Sequence, residues 1–161
     1  MKIRRFLCRI IRTAGVPYNV LLNQGETYQL VNGSSGFAND LTGTLITSDQ
    51  PIAVFGGHRC ANTPIVFTCC CDHIVEMLPP TTTWGKNFVT EPLATRLNGD
   101  SWRILASQNS TSVSINGGPA TVINKGQFID QIIAVRSIIS SDKPVLVAQY
   151  SNSSGYDGVT S

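Results

Sequence analysis

Four of the five cysteines, both histidines and one of the two tryptophans fall within GHRCANTPIVFTCCCDHIVEMLPPTTTWGK, the 30 residues from Gly57 to Lys86. Three kinds of chemistry can be written for them. His58-x-Cys60 and Cys71-x-His73 form a mirror-image set of four donors, the number a tetrahedral zinc site takes. The spacing departs from the Cys-x-x-Cys knuckles of zinc turns. Cys69, Cys70 and Cys71 in succession also cannot all aim at one ion from a strand, where side chains alternate between faces. In an oxidising compartment the sulfurs pair instead, and five leave at least one over for linkage to another chain. A Cys–His nucleophile, the third chemistry, needs a partly exposed thiolate beside its base and an oxyanion site. Asp72-His73 next to Cys71 would be its parts, but neighbours on a strand point apart. There is no GxSxG, HExxH, phosphate-binding loop or Rossmann fingerprint. Asp72, Glu76, Glu91 and Asp100 form no pair whose geometry the spacing supports. A non-enzymatic chain without a cofactor is expected.

Around this segment the chain reads as all-β. Only 14% of residues are charged, against roughly 25% in an average soluble protein, and Thr, Ser, Asn and Gly fill the gap. Such a surface suits a β-protein and not a helical bundle, whose outer faces need Glu and Lys. Short β-branched runs bounded by turn residues predict strands near Tyr18–Leu22, Thr27–Val31, Thr44–Thr47, Ile52–Phe55, Ile74–Met77 and Asn87–Thr90. More are predicted near Trp102–Ser107, Ser112–Ile115, Ala120–Ile123, Phe128–Ala134, Ser137–Ile139 and Val145–Tyr150, with a tight turn at Asn116-Gly117-Gly118. Trp102 opens an apolar strand and is expected in the core. Trp84 lies in a turn-rich segment, where structural packing is favoured over an interface role.

Charge excludes some partners. The net charge is +2, and Lys2, Arg4, Arg5, Arg9 and Arg12 supply the excess; the remainder holds more carboxylates than basic side chains. The footprint of a nucleic-acid binder is therefore missing. The arm MKIRRFLCRIIR has positive charge but neither the uninterrupted apolar run nor the cleavage site of a signal peptide. No segment approaches the ~18 apolar residues of a membrane span, so no membrane insertion is expected.

Two blocks recur in order. LLNQGETYQL from Leu21 matches VINKGQFIDQ from Val122, and LITSDQPIAVF from Leu45 matches IISSDKPVLVA from Ile138. The Ser-Asp-x-Pro element in each reads as strand, turn, strand. Gly25 pairs with Gly126 and Asp49 with Asp142, so the first copy carries eight extra residues, where NGSSGFAND lies. Two copies of a β-unit of roughly 90–100 residues explain this pattern. The expected organisation is an atypical arm over 1–14, a partial first β-unit over 15–57, a cysteine-rich connecting segment with strands over 58–98, and a partial second β-unit over 99–161. The second copy opens with GDSWRILASQNSTSVSINGG, which the first lacks, and the chain stops just past a strand. Open sheet edges of that kind predict a fragment truncated at both ends.

GGHRCAN, CDHIVEMLPPTTTWGKNFV, EPLATR and ISSDKPVLVAQYS together resemble the N-terminal domain family of IgG-Fc-binding protein, a large secreted component of mucus. The likeness runs from about Gly15 to Tyr150 and is strongest at Gly57–Ala61, Cys71–Phe88 and Ser140–Tyr150; the arm at Met1–Arg12 does not match. The resemblance implies an extracellular module with a binding or structural role in mucus or at a cell surface. It also implies a Cys60–Cys71 disulfide closing a surface loop, which at about a dozen residues stabilises by roughly 3 kcal/mol. Cys69 and Cys70 fall outside the matched pattern and are expected as vicinal or intermolecular thiols, the latter giving a disulfide-linked oligomer.

These readings combine into an antiparallel β-sandwich of two related units, secreted, acting in protein interaction and adhesion. The candidate binding loop comprises His58, Arg59 and Asn62, with Trp84. Asn32, Asn109 and Asn152 each begin an N-glycosylation sequon. The partner is expected to be a protein or glycan of mucus or a cell surface, immunoglobulin Fc being implied by the family name only. The rival reading is an intracellular, zinc-stabilised interaction module built on His58, Cys60, Cys71 and His73.

Overall fold

Strands form where β-branched runs meet turn residues, and they gather in one part of the chain. The computed structural model describes residues 13–32, 40–66 and 70–157. Its strands are β1 (Phe55–Ala61), β2 (Asp72–Met77), β3 (Gly85–Thr90), β4 (Asp100–Ala106), β5 (Thr111–Ile115), β6 (Thr121–Ile123), β7 (Phe128–Ile133) and β8 (Ser137–Tyr150). A 3-10 turn at Thr81–Thr83 and a single helical turn, α1 (Ser154–Asp157), complete the elements. Two compact units, Met1–Asp40 and Leu41–Ser161, divide the chain, and all these elements lie in the second.

Every pairing is antiparallel. β1 and β2 form a two-stranded ribbon. The other six strands form one sheet in the order β6-β5-β8-β4-β7, with β3 also on β8. The sheets curl into a half-barrel of sandwich type. Alternation along β4 shows what drives the curl: Trp102, Ile104 and Ala106 are buried while Ser101, Arg103 and Leu105 between them are half-buried. Val113 of β5, Ile123 of β6, Ile133 of β7 and Ile139 and Val145 of β8 close the core around them. Phe88, Ile115, Ile129 and Val147 pack on its margin.

The sheet folds over at a corner. Val145 pairs with both Gly85 of β3 and Ala106 of β4, and Ser140 pairs with both Asn87 of β3 and Ser114 of β5. β3 therefore occupies one edge of β8, and β4 and β5 lie end to end on the other. Between Ser140 and Val145, β8 spends four residues where β3 spends one, an irregular bulge made by Ser141-Asp142-Lys143-Pro144. Opposite it, residues 107–110 break β4 from β5. The Ser-Asp-x-Pro turn expected between two strands is thus a bulge inside one 14-residue strand. Neighbours on both edges of β8 hold the chain in the ladder on either side of it.

The glycine turns of the two copies have the same geometry. Glu26 N–H donates to Asn23 O (3.0 Å), Asn23 N–H donates to Glu26 Oε2 (2.9 Å), and Gly25 has φ +82°. In the second copy Gln127 N–H donates to Asn124 O (2.8 Å), Asn124 N–H donates to Gln127 Oε1 (2.8 Å), and Gly126 has φ +80°. Both glycines take the left-handed conformation that the third turn position requires. The turn at Asn116-Gly117 also forms as expected, both residues having positive φ.

The expected strands at Tyr18–Leu22, Thr27–Val31 and Thr44–Thr47, and Ile52–Val54 of the fourth, are not strands in the structure. The first two return beside one another, the Tyr18 and Tyr28 hydroxyls lying 3.5 Å apart, without a ladder. The sequence pattern records which residues suit a half-buried face. A strand further needs a laddered partner, and apart from the single Leu78 N–H to Val54 O bond no described residue pairs with these segments.

Adjacent isoleucines of β8 test this packing. Ile139 is fully buried and Ile138 is 54% exposed. Ile139→Ala is expected to lower the unfolding free energy by about 2–5 kcal/mol, and Ile138→Ala by less than about 1 kcal/mol, both read from urea denaturation.

Candidate functional site

The chemistry-bearing segment folds into the β1–β2 ribbon and the loop at its tip. Pairing runs Phe55↔Met77, Gly56↔Glu76, Gly57↔Val75 and His58↔Ile74, then slips to Ala61↔Asp72. The alternation places Gly56 and Ile74 on the half-buried side, Gly56 lying against Leu78. Phe55, Val75 and Met77 stand exposed on the other. No side chain fits at Gly57, where a Cβ would lie 2.6 Å from Ile74 O. The ribbon is closed covalently: Cys60 and Cys71 are disulfide-bonded, with Cα atoms 4.9 Å apart.

Within the loop the polar groups are held from below and the apolar ones face out. Pro64 is buried, and Ser153 N–H donates to Thr63 O (2.7 Å), tying the loop to the segment after β8. Asn62 Oδ1 and Ser153 Oγ are buried and without a hydrogen-bond partner. Val66 is 83% exposed and Ile65 is also exposed. On β1 the His58 Nδ1 accepts Cys60 N–H (3.1 Å), and Arg59 is exposed.

His58 and Arg59 lie on β1 and Asn62 in the loop that follows it, beside the disulfide. Trp84 does not join them. It follows the opposite end of β2, and its indole N–H donates to Pro79 O (3.2 Å), which fixes a half-buried ring at the foot of the ribbon. Trp102 is in the core, as expected. Cys70 is disulfide-bonded, while Cys8 and Cys69 lie outside the described residues. Asn152 is 2% exposed, with its Nδ2 donating to Gly99 O (2.8 Å) and its Oδ1 accepting Ser101 Oγ (2.6 Å), so this fold has no room for a glycan there. Asn109 is exposed. The Asn32 sequon continues into residues outside those described.

The zinc arrangement is corrected by the disulfide. Cys60 and Cys71 hold each other, so two of the four proposed donors have no thiolate to offer, and no metal-holding cluster occurs among the described residues. A Cys71–His73 nucleophile pair is ruled out by the same bond, since that sulfur is already oxidised.

A family model described as IgGFc binding protein matches residues 7–161. The chain belongs to the IgGFc binding protein family. It is 33% identical over 112 residues, 70% of its length, to the human protein named IgGFc-binding protein, and it spans 2% of that relative's length. No solved structure matches. The family match is wider than the likeness read from Gly15 to Tyr150, and takes in part of the N-terminal arm.

Behind the loop lies a polar cluster that spacing alone does not reveal. Arg96, from the matched EPLATR block, donates through Nη1 to Asp157 Oδ2 (2.7 Å) and through Nη2 to Ser151 Oγ (2.8 Å). Asp157 is fully buried. Asn98 Nδ2 donates to Tyr156 O (2.8 Å), and Asp100 Oδ2 accepts from Leu93 N–H (2.7 Å) and Gln149 Nε2 (2.9 Å). These bonds latch the 91–100 loop to the segment carrying Ser153, which in turn holds the disulfide loop. Leu93 and Asp100 excepted, the partners stand 49 to 61 residues apart, a separation to which no periodicity points.

Two substitution sets separate these contributions. The double change Cys60→Ser with Cys71→Ser should lower stability by about 3 kcal/mol and speed amide exchange first in β1 and β2. Arg96→Ala should cost about 3 kcal/mol by stranding the Asp157 carboxylate. Arg136→Ala, which breaks the exposed pair with Glu91, should cost under about 1 kcal/mol. Urea unfolding reads all three.

Proposed function

We propose that this chain is a non-enzymatic, extracellular binding module whose ligand surface is the disulfide-closed loop with the adjoining face of β1, centred on Arg59, Asn62, Ile65 and Val66. The observation that carries the reading is the Cys60–Cys71 bond beside an exposed apolar tip. Disulfides persist in oxidising compartments, and loops on a rigid β-scaffold are where binding sites concentrate. Arg flanked by exposed aliphatic side chains, on backbone tied down on both sides, fits recognition of a protein surface. The relative is named for binding IgG Fc, which makes the Fc region the first ligand to test. Mucus proteins and their glycans are the next. Within this reading Asn109 is the sequon asparagine that the folded unit leaves accessible.

The test uses the full chain secreted from an oxidising host, with immobilised IgG Fc and purified mucin as probes in biolayer interferometry. Binding to one of them is expected, weakened about tenfold or more by Arg59→Glu or Val66→Asp and unchanged by Ile138→Ser on the sheet. Binding indifferent to both loop changes would move the site elsewhere, and binding to neither probe would remove both ligands.

A further inference from the structure

From the internal repeat we infer that Thr44–Phe55 is an acceptor edge for an incoming antiparallel strand, an interaction surface separate from the disulfide loop and independent of the reading given to it. The bend at Ser48-Asp49-Gln50-Pro51 has the geometry of its counterpart in β8. Ser48 Oγ donates to Gln50 O at 2.7 Å, and Ser141 Oγ donates to Lys143 O at 2.7 Å. On either side of the two bends the same positions meet opposite environments. Ile139 and Val145 are 0% exposed, whereas their counterparts Ile46 and Ile52 are 53% and 52% exposed. Asp142 Oδ1 accepts Ser112 N–H (2.8 Å), whereas Asp49 has no hydrogen-bond partner. Among the described residues no backbone–backbone hydrogen bond is made from Leu45 to Ala53.

The second copy shows what covers such a segment: β5 pairs across 139–141 and β4 across 145–150. The corresponding edge of the first copy is not the one β2 uses. Ser107 N–H donates to Pro144 O, so the Pro144 carbonyl points toward β4. Leu78 N–H donates to Val54 O, and Val54 matches Val147, three residues beyond Pro144. Carbonyls an odd number of residues apart point to opposite edges of a strand. In the register of the second copy β2 therefore sits on the far side, and no described residue hydrogen-bonds the edge equivalent to that of β4. Its occupant is an extended polypeptide with the alternation of β4–β5: large apolar residues inward, small hydroxyl residues outward, and a Ser/Asn corner whose amide meets Asp49. In the homologous register Ile52 faces the position of Ala106 and Val54 that of Ile104. This is recognition by strand addition, with affinity from main-chain bonds and specificity from alternate side chains.

The probe is a capped synthetic peptide of residues Asp100–Ile115, added to the intact chain and followed by hydrogen-exchange mass spectrometry. Exchange at Leu45–Phe55 is expected to slow at least tenfold, and Ile46→Asp or Ile52→Asp, both at exposed positions, should abolish that protection while leaving the unfolding midpoint unchanged. Protection confined to Ser137–Tyr150 would mean that the peptide exchanges with β4 in its own sheet and would overturn the inference. So would an absence of protection, or concentration-dependent self-association lost in Ile52→Asp, which would make a second copy of the chain the occupant.

Discussion

The fold depends on how two long strands turn one corner together. β4–β5 and β8 run side by side, and both leave the ladder at the same level, at 107–110 and at 142–144. Unpaired backbone groups at such a break cost about 1–3 kcal/mol each when buried, so the corner exists only because side chains replace the missing ladder. Lys143 Nζ donates to Asn109 O (2.6 Å) and Ser110 O (2.9 Å), Asp142 takes Ser112 N–H, and Ser107 Oγ donates to Pro144 O (2.5 Å). Asn124 Oδ1 accepts Ser110 N–H (3.0 Å) and Asn109 Oδ1 accepts Lys125 N–H (3.1 Å). With those groups satisfied, the sheet folds so that Ile139 and Val145, on opposite sides of the bulge, reach the same core as Ala106 and Val113. The polar corner and the apolar core are one construction. The low charge and high Ser, Asn and Thr content of the chain make sense at this point, because a corner needs short side chains that bond back to nearby backbone.

Legibility in the sequence followed the range of each interaction. Alternation in Asp100–Ala106 and the Asn-Gly signal at Asn116-Gly117 are local and named their elements correctly. The glycine turns at Asn23–Glu26 and Asn124–Gln127 are local as well, and their agreement to within a few tenths of an ångström gives the repeat a structural counterpart. The Ser-Asp-x-Pro block misled because its residues suit a turn and a bulge equally, and only flanking strands decide between them. The segments from Tyr18 to Val54 misled in the other direction, since their pattern is that of strands while no ladder reaches them from the described residues. At the site, the disulfide followed from family likeness and not from spacing. The Arg96–Asp157 latch had no signal beyond the presence of EPLATR among the matched blocks.

The ribbon shows how a small element is kept in place without a core of its own. Two strands alone are marginal in water, and Phe55, Val75 and Met77 remain exposed on one face. Three constraints compensate: the Cys60–Cys71 bond at the tip, the Leu78–Val54 hydrogen bond at the foot, and the Ser153–Thr63 hydrogen bond to the loop. The last is only as firm as the segment it comes from, and that segment is held by Asp157 on Arg96 and by Asn152 on Gly99 and Ser101. Loop position is thereby referred back to β4 and β8, the best-buried strands of the molecule.

This arrangement separates stability from recognition. Buried apolar side chains concentrate in β4, β5 and β8, where a change of residue is felt throughout the core. Exposed apolar side chains are frequent in the ribbon, its loop, Thr44–Phe55 and Val16–Val31, where few packing contacts are at stake. A surface that must meet a partner is drawn from the less stable end of a structure, because contacts already satisfied internally have nothing left to offer. The two matched blocks show the same division among the described residues: Ile139 and Val145 are buried in the sheet, whereas Ile46 and Ile52 at the matching positions stay exposed.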